Sequence, residues 1–513
     1  MPNKSSKRLH TIEELVSEFG DLKSIQFEPF QPEQNCPAKA ILPSNFPTQP
    51  TPYDYFNLFF TPNLFDLITH NTNKYAETQR LDKEERSREW VQLVPAELRV
   101  FIGAIIYIGV HVEPDTTWYW NTDLIRGPVH TIPSFLSLRR FEQIKRFLHI
   151  SCAETDKSTG IDQPDNKVWW YKVEPLASCL QATFRQYYSP SSSVSIDELM
   201  VRCFGRSSHT YKMPNKPIKQ GYKVYGIADH SYIYSWIWSS RVFGIEDIPL
   251  FDDLTNTGAL VRSLVATLPR TFITIYMDNY FTSVPLFQSL RDRNYGAVST
   301  TRPHDKFPQA LAKLKKEGLK LEWNTLLAQV VDNTLCLAWQ DNNIVLTLST
   351  IHTIHTAKDF ITRQRKRPAK TSTSARIVRV VFGTHPTMEL SIPVFIDDYN
   401  HNMGGVDIVN QLRESFETHR ATQRNWWPLF YWLIDVIVIN SYRLYQVHMA
   451  QLGQQSTLSH LEFRTSLYCS LFNYSKSTKI HHLQLELGGK RLFSNDISHI
   501  HQKVKRTQPN PCV

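Results

Sequence analysis

Cysteine is scarce in this chain: seven residues in 513, odd in number and scattered, with no CxxC pair. A disulfide framework is therefore not expected, and a reducing compartment fits. Beyond Tyr445 only Cys469 and Cys512 remain, accompanied by His481, His482, His499 and His501, and four zinc ligands at close spacing are not apparent. The first residues, MPNKSSKRLHTIEELVSEFGD, lack the apolar core of a secretory signal, so secretion is not expected. Long apolar runs are also missing. Val100–Val112 is too short to span a bilayer and the stretch around Trp426–Ile439 contains Pro428 and Asp435, so both read as buried helices and no membrane partner is expected. No internal repeat is present.

What is there is globular material: 41% hydrophobic and 20% charged residues, in a chain long enough for two or more packed domains. The 57 basic residues outnumber the 48 acidic ones, giving a net charge of +9 and a pI near 9.0, a balance that suits polyanionic partners. Up to Pro52 the frequent prolines predict an extended, loosely ordered leader. From Tyr53 to about Tyr188 the apolar spacing is helical, as in PAELRVFIGAIIYIGV. After Pro190 the pattern changes to short β-branched and aromatic runs such as VSIDELMVRCF, YKVYGIADH, YIYSWIWSS and TFITIYM, which predict strands. In TFITIYM both alternating faces are apolar, the mark of a strand in the middle of a sheet covered by helices. Helical patterns at GALVRSLVATLP and SVPLFQSLRDRN complete an α/β layer.

Three carboxylates stand out. Asp197 sits in VSIDELMV on the face shared by Leu199 and Val201, where its desolvation demands compensation. Asp278 lies at the carboxyl end of TFITIYM, where open α/β sheets bind ligands. Asp407 follows Gly404, Gly405 and Val406 at the start of a helical pattern. Neighbouring strand-end aspartates suit a divalent cation that neutralises both. Each also has a plainer reading, as a turn or cap residue or as a first-turn helix acid.

Arg202, Arg206, Lys212, Lys216, Lys219 and Lys223 follow Asp197 closely, interleaved with Tyr211, Tyr222 and Tyr225. They read either as contacts to a phosphodiester backbone or as a solvated face. Arg363, Arg365, Lys366 and Arg367, in TRQRKRPAKTSTSAR, predict an exposed basic loop that suits nuclear import, DNA contact or plain solvation. Trp426 and Trp427 before Pro428 read as the packed start of a buried helix.

Taken in order, SIDELMVRCFGRSSHTYKMPNKPIKQGYKVYGIAD, IYMDNYFTSVPLFQSLRDRNYGAVSTTRP, DYNHNMGGVDIVNQL and NWWPLFYWLIDVIVINSYRLY resemble the piggyBac family of cut-and-paste DNA transposases, from about Tyr53 to Tyr445. The resemblance implies an α/β, ribonuclease-H-like catalytic core with an inserted subdomain, flanked by an α-helical dimerisation and DNA-binding region. In residue ranges it implies a flexible leader (1–52), a helical region (53–190), the first part of the core (191–302), an insertion with a basic loop (303–394), the last part of the core (395–416), returning helices (417–450) and a polar extension (451–513).

It also implies that Asp197, Asp278 and Asp407 are the catalytic, metal-binding triad. Two Mg2+ or Mn2+ ions, double-stranded DNA, a homodimer, a nuclear location and a TTAA target are expected with them. Two features depart from the family pattern. Asn410 stands where many members carry a further aspartate, in GGVDxxDQ, and the cysteine-rich zinc module at the end of many members is missing. The sequence therefore leaves open a second reading, a DNA-binding protein of transposase descent that no longer cuts. A third reading, a metal phosphoesterase of small substrates, explains the aspartates but not the basic interleaving.

Overall fold

The computed structural model describes residues 21–81, 89–152, 168–245, 248–371 and 375–475, with Val16 and Phe19. Two compact units emerge. Of the described residues, one combines those up to Leu64 with those in His149–Ser466, and the other combines those in Phe65–Leu148 with those from Leu467 to Ser475.

The larger unit carries a short ladder of β1 (Lys39–Ala40) with β2 (Tyr188–Ser189). Its centre is a ten-stranded mixed sheet of β3 (Ser193–Arg202), β4 (Tyr211–Lys212), β5 (Gln220–Asp229), β6 (Tyr232–Ser240), β7 (Gly244–Ile245), β8 (Thr274–Met277), β9 (Gly296–Thr301), β10 (Leu326–Val331), β11 (Thr334–Gln340) and β12 (Ile344–Ser349). The order is β10-β11-β12-β9-β8-β3-β5-β6-β7, with β4 added to β5. β8 runs parallel to both neighbours and all four of its residues are buried, the environment its two apolar faces require. All nine residues of β6 are likewise buried. His230 and Ser231 link β5 to β6 with φ of 42° and 78°, the left-handed pair that a tight hairpin needs.

Helices cover this sheet. Gly405–Ser415 packs on β3, β5 and β6, Leu176–Gln186 on β6, and Val284–Arg291 on β9, β11 and β12. Val284–Arg291 starts where Ser283 Oγ accepts from the Leu286 amide, with Pro285 in the first turn. The aromatic segment forms one helix, Trp427–Gln451, with Trp427 only 1% exposed. From its middle, Asn440 exchanges two hydrogen bonds with Ile233, donating to its carbonyl oxygen at 2.8 Å and accepting from its amide at 2.9 Å.

The smaller unit is helical. Its Pro95–Val110 helix is buried nearly all round, and Gly103 admits the Leu471 side chain, whose Cβ would lie 2.9 Å from any Cβ added at the glycine. Arg140 grips Glu97 through two hydrogen bonds of 2.7 and 2.6 Å. Among the described residues no helix is long and apolar enough to cross a membrane.

Three expectations change. The leader is extended, but its described part is held in place: the Phe30 amide donates to Thr350, the Glu33 amide to Phe272, and Phe30 stacks on Phe272. Within residues 303–394, β10, β11 and β12 extend the central sheet through β9. The basic run is not a loop: β13 (Phe360–Lys366) pairs along its length with β14 (Thr387–Pro393). Arg363 donates to both carboxylate oxygens of Asp397 at 2.7 Å, and Arg365 to Asp341 at 2.7 Å, so two of the four cations are already paired. The segment after Gly453 contains a helix, His460–Asn473, with Phe463, Leu467 and Leu471 buried. His481, His482, His499, His501 and Cys512 lie outside the described residues.

Candidate active site

Asp197 occupies the middle of β3, opposite Gly226 of β5. On the other side β8 pairs with β3 as far as Ile196 and Met277, so the next residue on each strand is Asp197 and Asp278, and the register sets the two side by side. The turn after Asp278 is fastened to β9. Thr282 donates to the carbonyl oxygens of Asp278 at 3.1 Å and Thr300 at 2.9 Å, and Ser299 donates to that of Met277 at 2.6 Å.

Asp407 arrives from far along the chain, in the first turn of the Gly405–Ser415 helix. That helix lies against the aspartate-bearing face of β3. A Cβ at Gly405 would stand 2.5 Å from Ser195 Oγ and 3.2 Å from the Ala228 carbonyl oxygen, so only glycine permits the approach. Further along, buried Arg413 donates to the Met200 carbonyl oxygen at 2.8 Å and ties the helix to β3 a second time.

Asp278 and Asp407 both act on Asp197. Burial, joined by the charges of Asp407, Asp278 and Glu198, pushes the Asp197 carboxyl up to about 7, against the opposing hydrogen bond from the Glu198 amide. The Tyr399 hydroxyl feels the same group: burial and the charges of Asp278, Asp197 and Asp407 raise it to about 12, while its contact to Thr300 Oγ1 works the other way. Among the described residues no group of three His, Cys, Asp or Glu side chains, these carboxylates included, stands ready to hold a metal ion. Their chemistry nonetheless fits divalent cations: hard oxygen donors, partly desolvated and mutually repelling. Two neutral oxygens join them in sequence. Asn410 Oδ1, one helical turn beyond Asp407, and Asn279 Oδ1, beside Asp278, are both buried and lack a hydrogen-bond partner among the described residues.

The basic residues divide into two groups. Arg206, Lys212, Lys216 and Lys219 are exposed, whereas Lys223 is 8% exposed and turned inward. Glu198 holds Lys216 at 2.8 Å and Lys223 at 2.6 Å. Burial opposes the Glu198 charge, but the hydrogen bonds from both lysines prevail and keep its carboxyl below the usual range. Arg202 lies 3.8 Å from Glu417. Lys223 is thus unavailable as a backbone contact on an open surface. Tyr399 and Glu198 escaped the sequence reading. Tyr399 lies eight residues before Asp407 in DYNHNMGGVD, and Glu198 directly follows Asp197.

Comparison with known proteins places the chain in a family. Residues 51–442 match the family described as Transposase IS4. PiggyBac transposable element-derived protein 2 of Homo sapiens is 23% identical over 430 residues, covering 82% of this chain and 65% of its own length. The human piggyBac transposable element-derived protein 3 is 24% identical over 442 residues, with 83% and 65% covered. The chain therefore spans just under two thirds of these relatives. Its fold is similar to that in the cryo-EM structure of the piggyBac transposase synaptic complex with hairpin DNA, with a TM-score of 0.68, 21% identity, and 94% of this chain and 89% of that one covered.

Proposed function

The chain belongs to the piggyBac transposase family, and from that premise we propose that it binds duplex DNA and cleaves and rejoins phosphodiester bonds with Asp197, Asp278 and Asp407. The observation that carries this reading is the placement of three carboxylates: the β3–β8 register sets Asp197 beside Asp278, and the close approach of Gly405 seats the helix of Asp407 on the same face of β3. Two Mg2+ or Mn2+ ions held by these carboxylates would activate the attacking water or 3′-hydroxyl and stabilise the leaving oxygen.

The chain's own residues prepare that chemistry. Asp197, its carboxyl raised to about 7, gains charge when cations are added. Asn410 offers a neutral oxygen in place of a further charge. The exposed Arg206, Lys212 and Lys219 hold the DNA backbone near the aspartates. In this reading the sheet with its parallel β3–β8 pair is a ribonuclease-H-like core, residues 53–190 and 417–450 serve dimerisation and DNA binding, the target is TTAA, and the protein works in the nucleus as a homodimer.

Nicking of a supercoiled plasmid that carries the element's own ends tests this proposal. Cleavage that needs Mg2+ or Mn2+ and disappears in Asp278→Asn supports it. Metal-independent cleavage, or nicking untouched by that substitution, sinks it. One observation favours a second reading: at Asn410 an uncharged amide follows the triad, which suits a domesticated DNA-binding protein. Tight binding to the same plasmid with no nick under either metal identifies that case.

A further inference from the structure

A cavity of about 460 Å³ lies on the face of the sheet opposite Asp197. Residues paired across antiparallel strands share a face, so Glu198 stands with Tyr225 and Met200 with Lys223, while Asp197 and Gly226 face the other way. The rings of Tyr211, Tyr225, Tyr280 and Phe243 line the cavity, together with Lys223. Its volume falls within the roughly 300–1,000 Å³ of small-ligand sites.

The chemistry of its walls selects the ligand. The Lys223 ammonium is 5.0 Å from the ring centres of Tyr225 and Tyr280 and 2.6 Å from Glu198 Oε2, so its charge is already matched and the cavity does not call for an anion. Tyr225 and Tyr280 lie within 7° of parallel, and Tyr280 leaves 47% of its surface open. Leu250, at 72% exposure, adds an apolar rim. Uncharged polar groups share the walls: Ser239 Oγ, 2.8 Å from the Tyr211 hydroxyl, with Asn256, Thr257 and the tyrosine hydroxyls. Flat, neutral and rimmed with donors and acceptors is the description of a nucleobase.

Access follows from the strand ends. β8 stops at Met277, and the turn Asp278-Asn279-Tyr280 passes from the aspartate group to the aromatic one. Two residues of backbone span at most about 7 Å, so Tyr280 is anchored that close to Asp278.

We propose that this cavity receives an unpaired nucleobase of the strand whose phosphodiester lies at the three aspartates, stacked against Tyr280. The inference rests on the reading above for the strand's position and adds the place of its base. Extruding a base costs stacking and pairing, and aromatic stacking offsets that cost, so DNA already unpaired beside the cut is preferred.

The test compares two fluorescent duplexes bound by the full chain without divalent ions, one blunt and one carrying an unpaired overhang with 2-aminopurine. The overhang duplex is expected to bind about tenfold more tightly, with its 2-aminopurine emission quenched. Tyr280→Ala should remove both effects and Tyr280→Phe should keep them. Equal affinity for the two duplexes, or undiminished quenching in Tyr280→Ala, overturns the proposal. Binding of neither duplex overturns this inference and the DNA reading together. Because no metal is present, failure of metal-dependent cleavage would remove the catalytic reading and leave a positive result here standing.

Discussion

Gly405 approaches Ser195 so closely that a single added methyl carbon would sit 2.5 Å from the serine hydroxyl oxygen. This contact sets the depth at which the helix carrying Asp407 settles on the strand carrying Asp197. The Ala228 carbonyl oxygen, 3.2 Å from the same point, closes the other side.

Gly405→Ala is therefore expected to lift that helix and displace Asp407 from its partners. The overpacking should cost about 1–3 kcal/mol of stability, read by denaturant unfolding. Nicking should fall further than stability alone explains. Adding Ser195→Gly relieves the closest clash and should recover part of both losses; unchanged nicking in Gly405→Ala would show that the helix depth is irrelevant.

Asp197 makes the metal-free protein sensitive to pH. Its folded carboxyl is raised from 3.8 to about 7, so the stability it contributes is complete below the unfolded value and is lost as pH rises through about 7. The effect is at most roughly 4 kcal/mol before solvent screening. Asp435, pushed by burial to about 7 despite Arg464 and Arg413, titrates in the same window. Melting curves of the wild type and Asp197→Asn across this range separate the two: the substitution should flatten only part of the fall. Mg2+ should raise the wild-type melting temperature above pH 7 and leave that of Asp197→Asn nearly unmoved. In nicking, Asp197→Asn should lose more than about 100-fold, beyond the usual effect of an outer-shell group.

Glu198 is the counter-charge for Lys223, whose side chain is 10% exposed. Glu198→Ala leaves that ammonium buried and unpaired, at an expected cost of about 3–5 kcal/mol. Glu198→Gln combined with Lys223→Met should recover most of it, measured by urea unfolding. Full stability in Glu198→Ala would mean the pair is replaced by solvent at no cost.

Arg206, Lys212 and Lys219 are exposed, in contrast to Lys223. Changing any one of them to Gln should lower the slope of log affinity for duplex DNA against log salt by about 1, without altering sequence preference. A slope that does not change assigns the residue to a solvated surface.

Part of this molecule was legible in its residues because period and chemistry coincide there. The doubly apolar TFITIYM segment demanded a central strand, and a carboxylate among the apolar residues of VSIDELMV demanded a compensating partner. Other features gave no such signal. The basic TRQRKR run alternates too weakly to be read as β13, since one exposed edge ladder and its pairs to Asp397 and Asp341 are long-range events. β11 and β12 are short apolar strands, yet nothing local says that β12 pairs with β9.

The amino-acid sequence by itself determined the family, the alternation of helix and strand, and which three acids deserve attention, because each is written in residue type, spacing and ordered motif. Only the tertiary structure decided which charges are free and which are already matched. Lys212 and Lys223 are alike in sequence, but strand alternation turns Lys223 toward Glu198 and three tyrosine rings while Lys212 meets solvent. Charge balance and desolvation depend on neighbours brought together across the chain, and those neighbours exist only once the sheet has formed.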